Sequence, residues 1–265
     1  MKNVLLLVHD DEGQEARLQA ALDLTRALDG HLSCVDVVVL PAATANLYDD
    51  GGASMLLQAE CAREDRNKAA LMARLVHEDV AWDWVDVTST LADAVIDAAT
   101  LADVVVLNRK LDAFPYPDMR DIASRILMHA RRPVVAVPDA LDRFAFDRAL
   151  IAWDGQESAA ATMRACVPLL ALASEVEIFT ARQGGERSDP TEAAEYLSRH
   201  GIHASVRIVE AGLDDPDKLI ADECARWRAD YVVMGAYSHG RLMEAFGGVT
   251  KRMLAKSAVP LVLGH

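Results

Sequence analysis

The chain has 265 residues, 52% of them hydrophobic and 26% charged, enough to bury the core of one large domain or two ordinary ones. A formal net charge of −14 repels phosphate backbones and argues against a nucleic-acid partner; no apolar run is long enough to cross a bilayer, which argues against a membrane one. Cys34, Cys61, Cys166 and Cys224 are scattered without a CxxC pair, the usage of a reducing compartment, so a cytoplasmic protein is expected.

The opening "MKNVLLLVHDDEG" has five apolar residues before acids intervene and reads as a first strand closed by Asp10-Asp11. A loop rich in turn residues, "PAATANLYDDGGAS" (41–54), lies beyond it. Ile122, Ile126 and Ala130 share one helix face, and the adjoining Arg131-Arg132 reads as a solvated helix end. The polar and aromatic segment "PDALDRFAFD" (138–147) reads as a linker. After it, apolar runs at 149–153, 176–179, 206–209, 231–234 and 259–263 are short and rich in β-branched residues, as strands covered on both faces are. Asp189-Pro190 and Asp215-Pro216 each place a capping carboxylate before a proline at the first helical position. Ile220, Cys224 and Trp227 then form an apolar stripe, and Pro168 is expected to interrupt its helix.

The chain repeats itself. "LADVVVLNRKL" (101–111) lies over "RADYVVMGAYS" (228–238), and "DIASRILMHARRPVVAV" (121–137) over the segment from 248, both at an offset of 127. "LLVHDDEGQE" (6–15) matches "LIAWDGQESA" (150–159) at 144, which puts Asp10 over Asp154, with the longer loop of the first half absorbing the difference. Two domains, 1–140 and 145–265, are therefore expected. The fold class is α/β: two tandem doubly wound, mainly parallel five-stranded sheets. Ligands on such sheets sit at the carboxyl ends of the strands, the edge where Asp154 and a glycine cluster fall.

That cluster is "GAYSHGRLMEAFGGVTKRML" (235–254), with Gly235, Gly240, Gly247 and Gly248 between a strand and a helix. Backbone N–H groups at a helix start carry partial positive charge and suit an anion, whereas a tight turn would use glycine with no ligand. The Walker pattern and GxGxxG are both absent, and a receiver-type acidic site lacks its lysine after the fifth strand. In the first half the glycines give way to Asn108, Ala113, Arg120 and Asp121, and Thr250 to Ala123, so the loop's glycines are read as serving the second half alone. Asp118 and Asp121 would there repel a phosphate, with Arg109, Lys110 and Arg120 as offsetting cations. His200 and His203 form an HxxH across a helix end, read as structural, and His239 in the glycine loop reads as exposed.

Two tandem strand–helix repeats, an Asp ending the first strand and a glycine-rich loop before the fourth helix resemble the universal stress protein family over nearly the whole chain. The resemblance implies a Rossmann-like, adenine nucleotide α-hydrolase-like fold and, in members with a G-x2-G-x9-G-[S/T] loop, bound ATP. Gly235 matches the first glycine and Gly247-Gly248 the last pair, but Ser238 stands where the second glycine is expected, and the loop is one residue short. Carried over, ATP or another adenine nucleotide would meet Asp154 at the ribose, Thr180 near the base, and Gly235, Ser238, Gly240, Gly247, Gly248, Val249 and Thr250 at the phosphates. Mg²⁺ is expected only with the nucleotide; no metal ligands and no catalytic residues stand out, so at most weak ATP hydrolysis is expected. The expected role is a stress-response protein acting through conformation or partners; the alternative is a nucleotide-free interaction module with both sites vestigial. The resemblance also implies an intrachain pseudo-dimer, through apolar fifth strands, and a homodimer, with the protein partner unknown.

Overall fold

The architecture was derived from a computed structural model, which describes residues 1–39, 52–108, 119–138, 140–182, 189–236 and 248–265. The first half runs β1 (Asn3–Val8), α1 (Gln14–Ala27), β2 (His31–Val39), α2 (Gly52–Leu75), β3 (Ala81–Ser89), α3 (Leu91–Ala98), β4 (Val104–Asn108), α4 (Met119–Ala130) and β5 (Val134–Val137). The second runs β6 (Arg148–Ala152), α5 (Glu157–Ala165), α6 (Val167–Leu170), β7 (Glu175–Arg182), α7 (Pro190–Ser198), β8 (Ala204–Glu210), α8 (Pro216–Trp227), β9 (Tyr231–Gly235), α9 (Gly248–Lys256) and β10 (Leu261–Gly264). Local chemistry explains the boundaries. Asp189 Oδ1 accepts the Thr191 N–H at 2.9 Å ahead of Pro190, and Pro168 separates α5 from the short α6.

The strands lie in the order β3-β2-β1-β4-β5-β10-β9-β6-β7-β8. Every neighbouring pair is parallel except β5 with β10, where Val135 faces Val262. The two doubly wound five-stranded sheets thus join edge to edge into one sheet. Helices α1, α2, α5, α6 and α7 cover one face, and α3, α4, α8 and α9 the other. The connecting segment is not simply solvated: Phe144 is buried against Tyr231, ring centroids 5.7 Å apart, and its N–H donates to Asp23 of α1.

The register corrects one sequence match. Leu6 lies opposite Val106, and Ile151 opposite Val233. Since Val106 and Val233 are matched at 127, β1 and β6 are matched at 145 and not at 144. His9, rather than Asp10, therefore occupies the position of Asp154. A shift of one residue exchanges the faces of a strand, and the buried face Val4, Leu6, Val8 matches Ala149, Ile151, Trp153.

Candidate functional site

In each half the first strand sits between the second and the fourth, so the strand order reverses there and a crevice opens at the carboxyl ends. In the second half, Ala152 pairs with both Phe179 and Met234, which brings Asp154, Thr180 and Gly235 to one level of this edge. Asp154 is exposed and its Oδ1 accepts the Gln156 N–H at 2.9 Å, a turn that Gly155 permits with φ 73°. Thr180 is 1% exposed, and neither its hydroxyl nor the buried indole N–H of Trp153 meets a hydrogen-bond partner among the described residues. Gly248, Val249 and Thr250 form the first turn of α9, which leads back toward β10, a strand parallel to β9; the start of α9 is therefore at the same edge. Gly248 is exposed and Thr250 buried. Ser238, Gly240 and Gly247, with His239, Arg109, Lys110 and Asp118, lie outside the described residues.

The two described glycines of the cluster have different causes. A Cβ at Gly235 would fall 2.5 Å from the Ala159 nitrogen and 2.6 Å from Ser158 Oγ, so close packing of α5 on β9 already requires glycine there. This revises the sequence expectation that the fold makes no demand at this position. At Gly248 the nearest atoms to an added Cβ belong to the end of the Arg252 side chain, at 2.7 Å, and not to backbone. Arg252 is itself directed to Asp217, with Nε donating at 2.6 Å.

The first half makes the same contact with the sizes reversed. Asn108 matches Gly235 and Gly13 matches Ser158, and a Cβ at Gly13 would fall 1.3 Å from Asn108 Nδ2. The buried Asn108 amide thus occupies the strand-end space and approaches Asp11 Oδ1 at 3.5 Å. Beneath it, Arg17 is fully buried, donating to the carbonyls of Leu7 (2.6 Å) and His9 (3.0 Å) and, through both terminal nitrogens, to Asp11. Among the described residues, Asn108, Arg17 and Asp11 therefore occupy this strand end of the first half.

Beside this plug stands a cluster that sequence inspection missed. His9 is fully buried, with Nδ1 2.9 Å from Glu64 Oε1 and 3.2 Å from the Val37 carbonyl. Its Nε2 faces Arg63 Nη2 at 3.3 Å, and that nitrogen also donates to Glu60 Oε1 (2.7 Å) and Glu64 Oε1 (3.0 Å). With acceptors at Nδ1 and a donor at Nε2, the partners assign the proton to Nδ1. Burial pushes the Glu64 carboxyl up, but the hydrogen bond from His9, the Asp10 N–H and the Arg63 charge outweigh it and hold the group below its ordinary range. The legible signal was Glu60 and Glu64 at a helical spacing of four; their convergence on a strand end more than fifty residues earlier was not legible. By contrast, His200 of the HxxH packs on Tyr196, ring centroids 4.8 Å apart. Cys34, Cys166 and Cys224 are pushed up to about 12 chiefly by burial.

No protein-family model matches the sequence, and no curated protein matches it. Solved structures do. A universal stress protein from Archaeoglobus fulgidus matches with a TM-score of 0.77 at 15% identity, covering 99% of this chain and 95% of that one. A putative universal stress protein from Pseudomonas aeruginosa matches at 0.60 and 14%, covering 100% and 93%, and a protein of unknown function from the same species matches equally at 0.60 and 14%, covering 100% and 92%. Full-length coverage by these proteins, together with the paired halves and the parallel order, defines the fold as that of a tandem universal stress protein. Among the described residues, no helix is long and apolar enough to cross a membrane.

Proposed function

We propose that the chain is a stress-response protein that binds one adenine nucleotide, ATP in the first instance, in the crevice of its second half and acts through conformation or partners. The observation that carries this reading is the pair of buried, unpartnered donors, Thr180 Oγ1 and Trp153 Nε1, at the edge that also holds Asp154. A buried donor without an acceptor costs roughly 1–3 kcal/mol, and a ligand rich in acceptors relieves that cost. Asp154 would take the ribose hydroxyls, and the N–H groups of Gly248, Val249 and Thr250 the phosphates, with Gly235, Ser238, Gly240 and Gly247 lining the loop. Gly248 fits this role because the nearest atoms to a Cβ there, among the described residues, are the end of a side chain and not backbone. Mg²⁺ would enter with the triphosphate. The first half, where Asn108 and the Arg17–Asp11 pair occupy the strand end, is expected to contribute no second nucleotide site.

Calorimetry with ATP on the full chain tests this. One site per chain is expected, and Gly248→Asp should weaken it roughly ten- to hundredfold, by about 1–3 kcal/mol, through lost approach and added like charge. The variant should stay folded, because the new carboxylate would stand beside Arg252. Two equal sites, or affinity indifferent to Gly248→Asp, would refute the placement. Absence of binding would favour the interaction-module reading.

A further inference from the structure

We propose that His9, Glu60 and Glu64 form a binding site for one divalent first-row transition-metal ion in the first half, with the Arg63 guanidinium holding the ion's place until it arrives. Among the described residues these three alone group as metal-ligating side chains, with ligand atoms within 4.8 Å of one another. The donor set is mixed, one imidazole and two carboxylates, which suits zinc, cobalt, manganese or iron and is unlike the all-oxygen sites of calcium and magnesium.

Three further features distinguish it from a chance cluster. A single nitrogen, Arg63 Nη2, lies within 3.3 Å of an acceptor on each of the three side chains, so a cation-sized space faced by all of them already exists. Outer contacts already orient the ligands: His9 Nδ1 lies 3.2 Å from the Val37 carbonyl and 2.9 Å from Glu64 Oε1, so that Glu64 would turn from Nδ1 toward the ion while Nε2 ligates it, and Glu64 is held by the Asp10 N–H and by Asn67, which is itself paired with Gln14. Among the described residues, carboxyl groups crowd the surroundings. Asp36 is 3% exposed with Oδ1 unpartnered, and the cations nearby are engaged, Arg17 with Asp11 and Lys68 with Asp86. Arg63 can yield: its side chain is the most exposed of the four, at 28%, and Asp10, 3.9 Å from its Nε, offers a partner on the solvent side. The site occupies the strand-end position that Asp154 holds in the second half, so the repeat would have exchanged one kind of ligand for another.

The test uses the full chain without nucleotide, Zn²⁺ by calorimetry and Co²⁺ by its visible absorption. One ion per chain is expected. Glu60→Gln, at a partly exposed position that the fold tolerates, should weaken binding by at least roughly tenfold, and His9→Asn likewise. Arg63→Gln should tighten it, also by roughly tenfold or more, because the competing cation is gone. His200→Ser with His203→Ser should change nothing. Absence of saturable binding in both the wild type and Arg63→Gln would overturn the proposal. So would binding indifferent to Glu60→Gln, or binding abolished by the His200 and His203 substitutions.

Discussion

Asp36 is a buried carboxyl whose chemistry departs far from what its letter suggests. Burial first, then the charges of Glu64 and Asp86, push its carboxyl up to about 7, against the opposing pull of Lys68 and His9. A carboxyl raised in the folded state binds its proton more tightly there than in the unfolded chain. Its contribution to stability is therefore full below the ordinary carboxylate range and is lost as pH rises toward and through 7. Asp36→Asn should remove that loss and make the protein more stable than wild type at pH 8 by on the order of 2–4 kcal/mol, with little difference at pH 4. Denaturant titrations of both proteins across this range check it; parallel pH profiles would show that Asp36 ionises as an ordinary surface group. None of this was legible in "SCVDVVV", because the neighbours that set the shift come from α2 and β3.

At the scale of elements, the reciprocal contacts of Asn108 with Gly13 and of Gly235 with Ser158 give a sharper expectation than counting glycines. Gly235→Ala drives a methyl against the backbone of α5 and should cost about 1–3 kcal/mol, as overpacking does. Gly248→Ala displaces only the end of Arg252 and should stay within about 0.5 kcal/mol of wild type. Thermal melts of the two variants separate a packing glycine from one retained for a ligand; equal losses would contradict the distinction. The order of strands and helices, the interruption at Pro168 and the cap at Asp189 were readable from sequence because each depends on a few adjacent residues. The first-strand match slipped by one because "VLLLV" is apolar on both faces, so nothing local marks its parity, and the shared aspartate letter drew Asp10 onto Asp154. Thr180 and Gly235 lie level at one sheet edge, a placement that follows from topology. Asn108 as a plug and the His9 cluster were not legible, because both join positions on different strands and helices.

For the molecule as a whole, the antiparallel seam between β5 and β10 decides cooperativity. Val134, Val135, Ala136 and Val137 are fully buried, and both core layers continue across the seam from one half into the other. Val135→Asp would bury an unpaired charge there and should destabilise the whole chain by more than about 3 kcal/mol. Calorimetry should show a single transition in the wild type that moves down intact in the variant; melting of one half alone would mean that the halves are energetically independent. The same seam has a consequence in time. Residues 138–260 separate the two strands that form it. At ordinary synthesis rates the ribosome needs on the order of ten seconds to traverse them. Throughout that interval a nascent chain carries an apolar strand with one open edge, on a polysome where neighbouring chains carry the same strand.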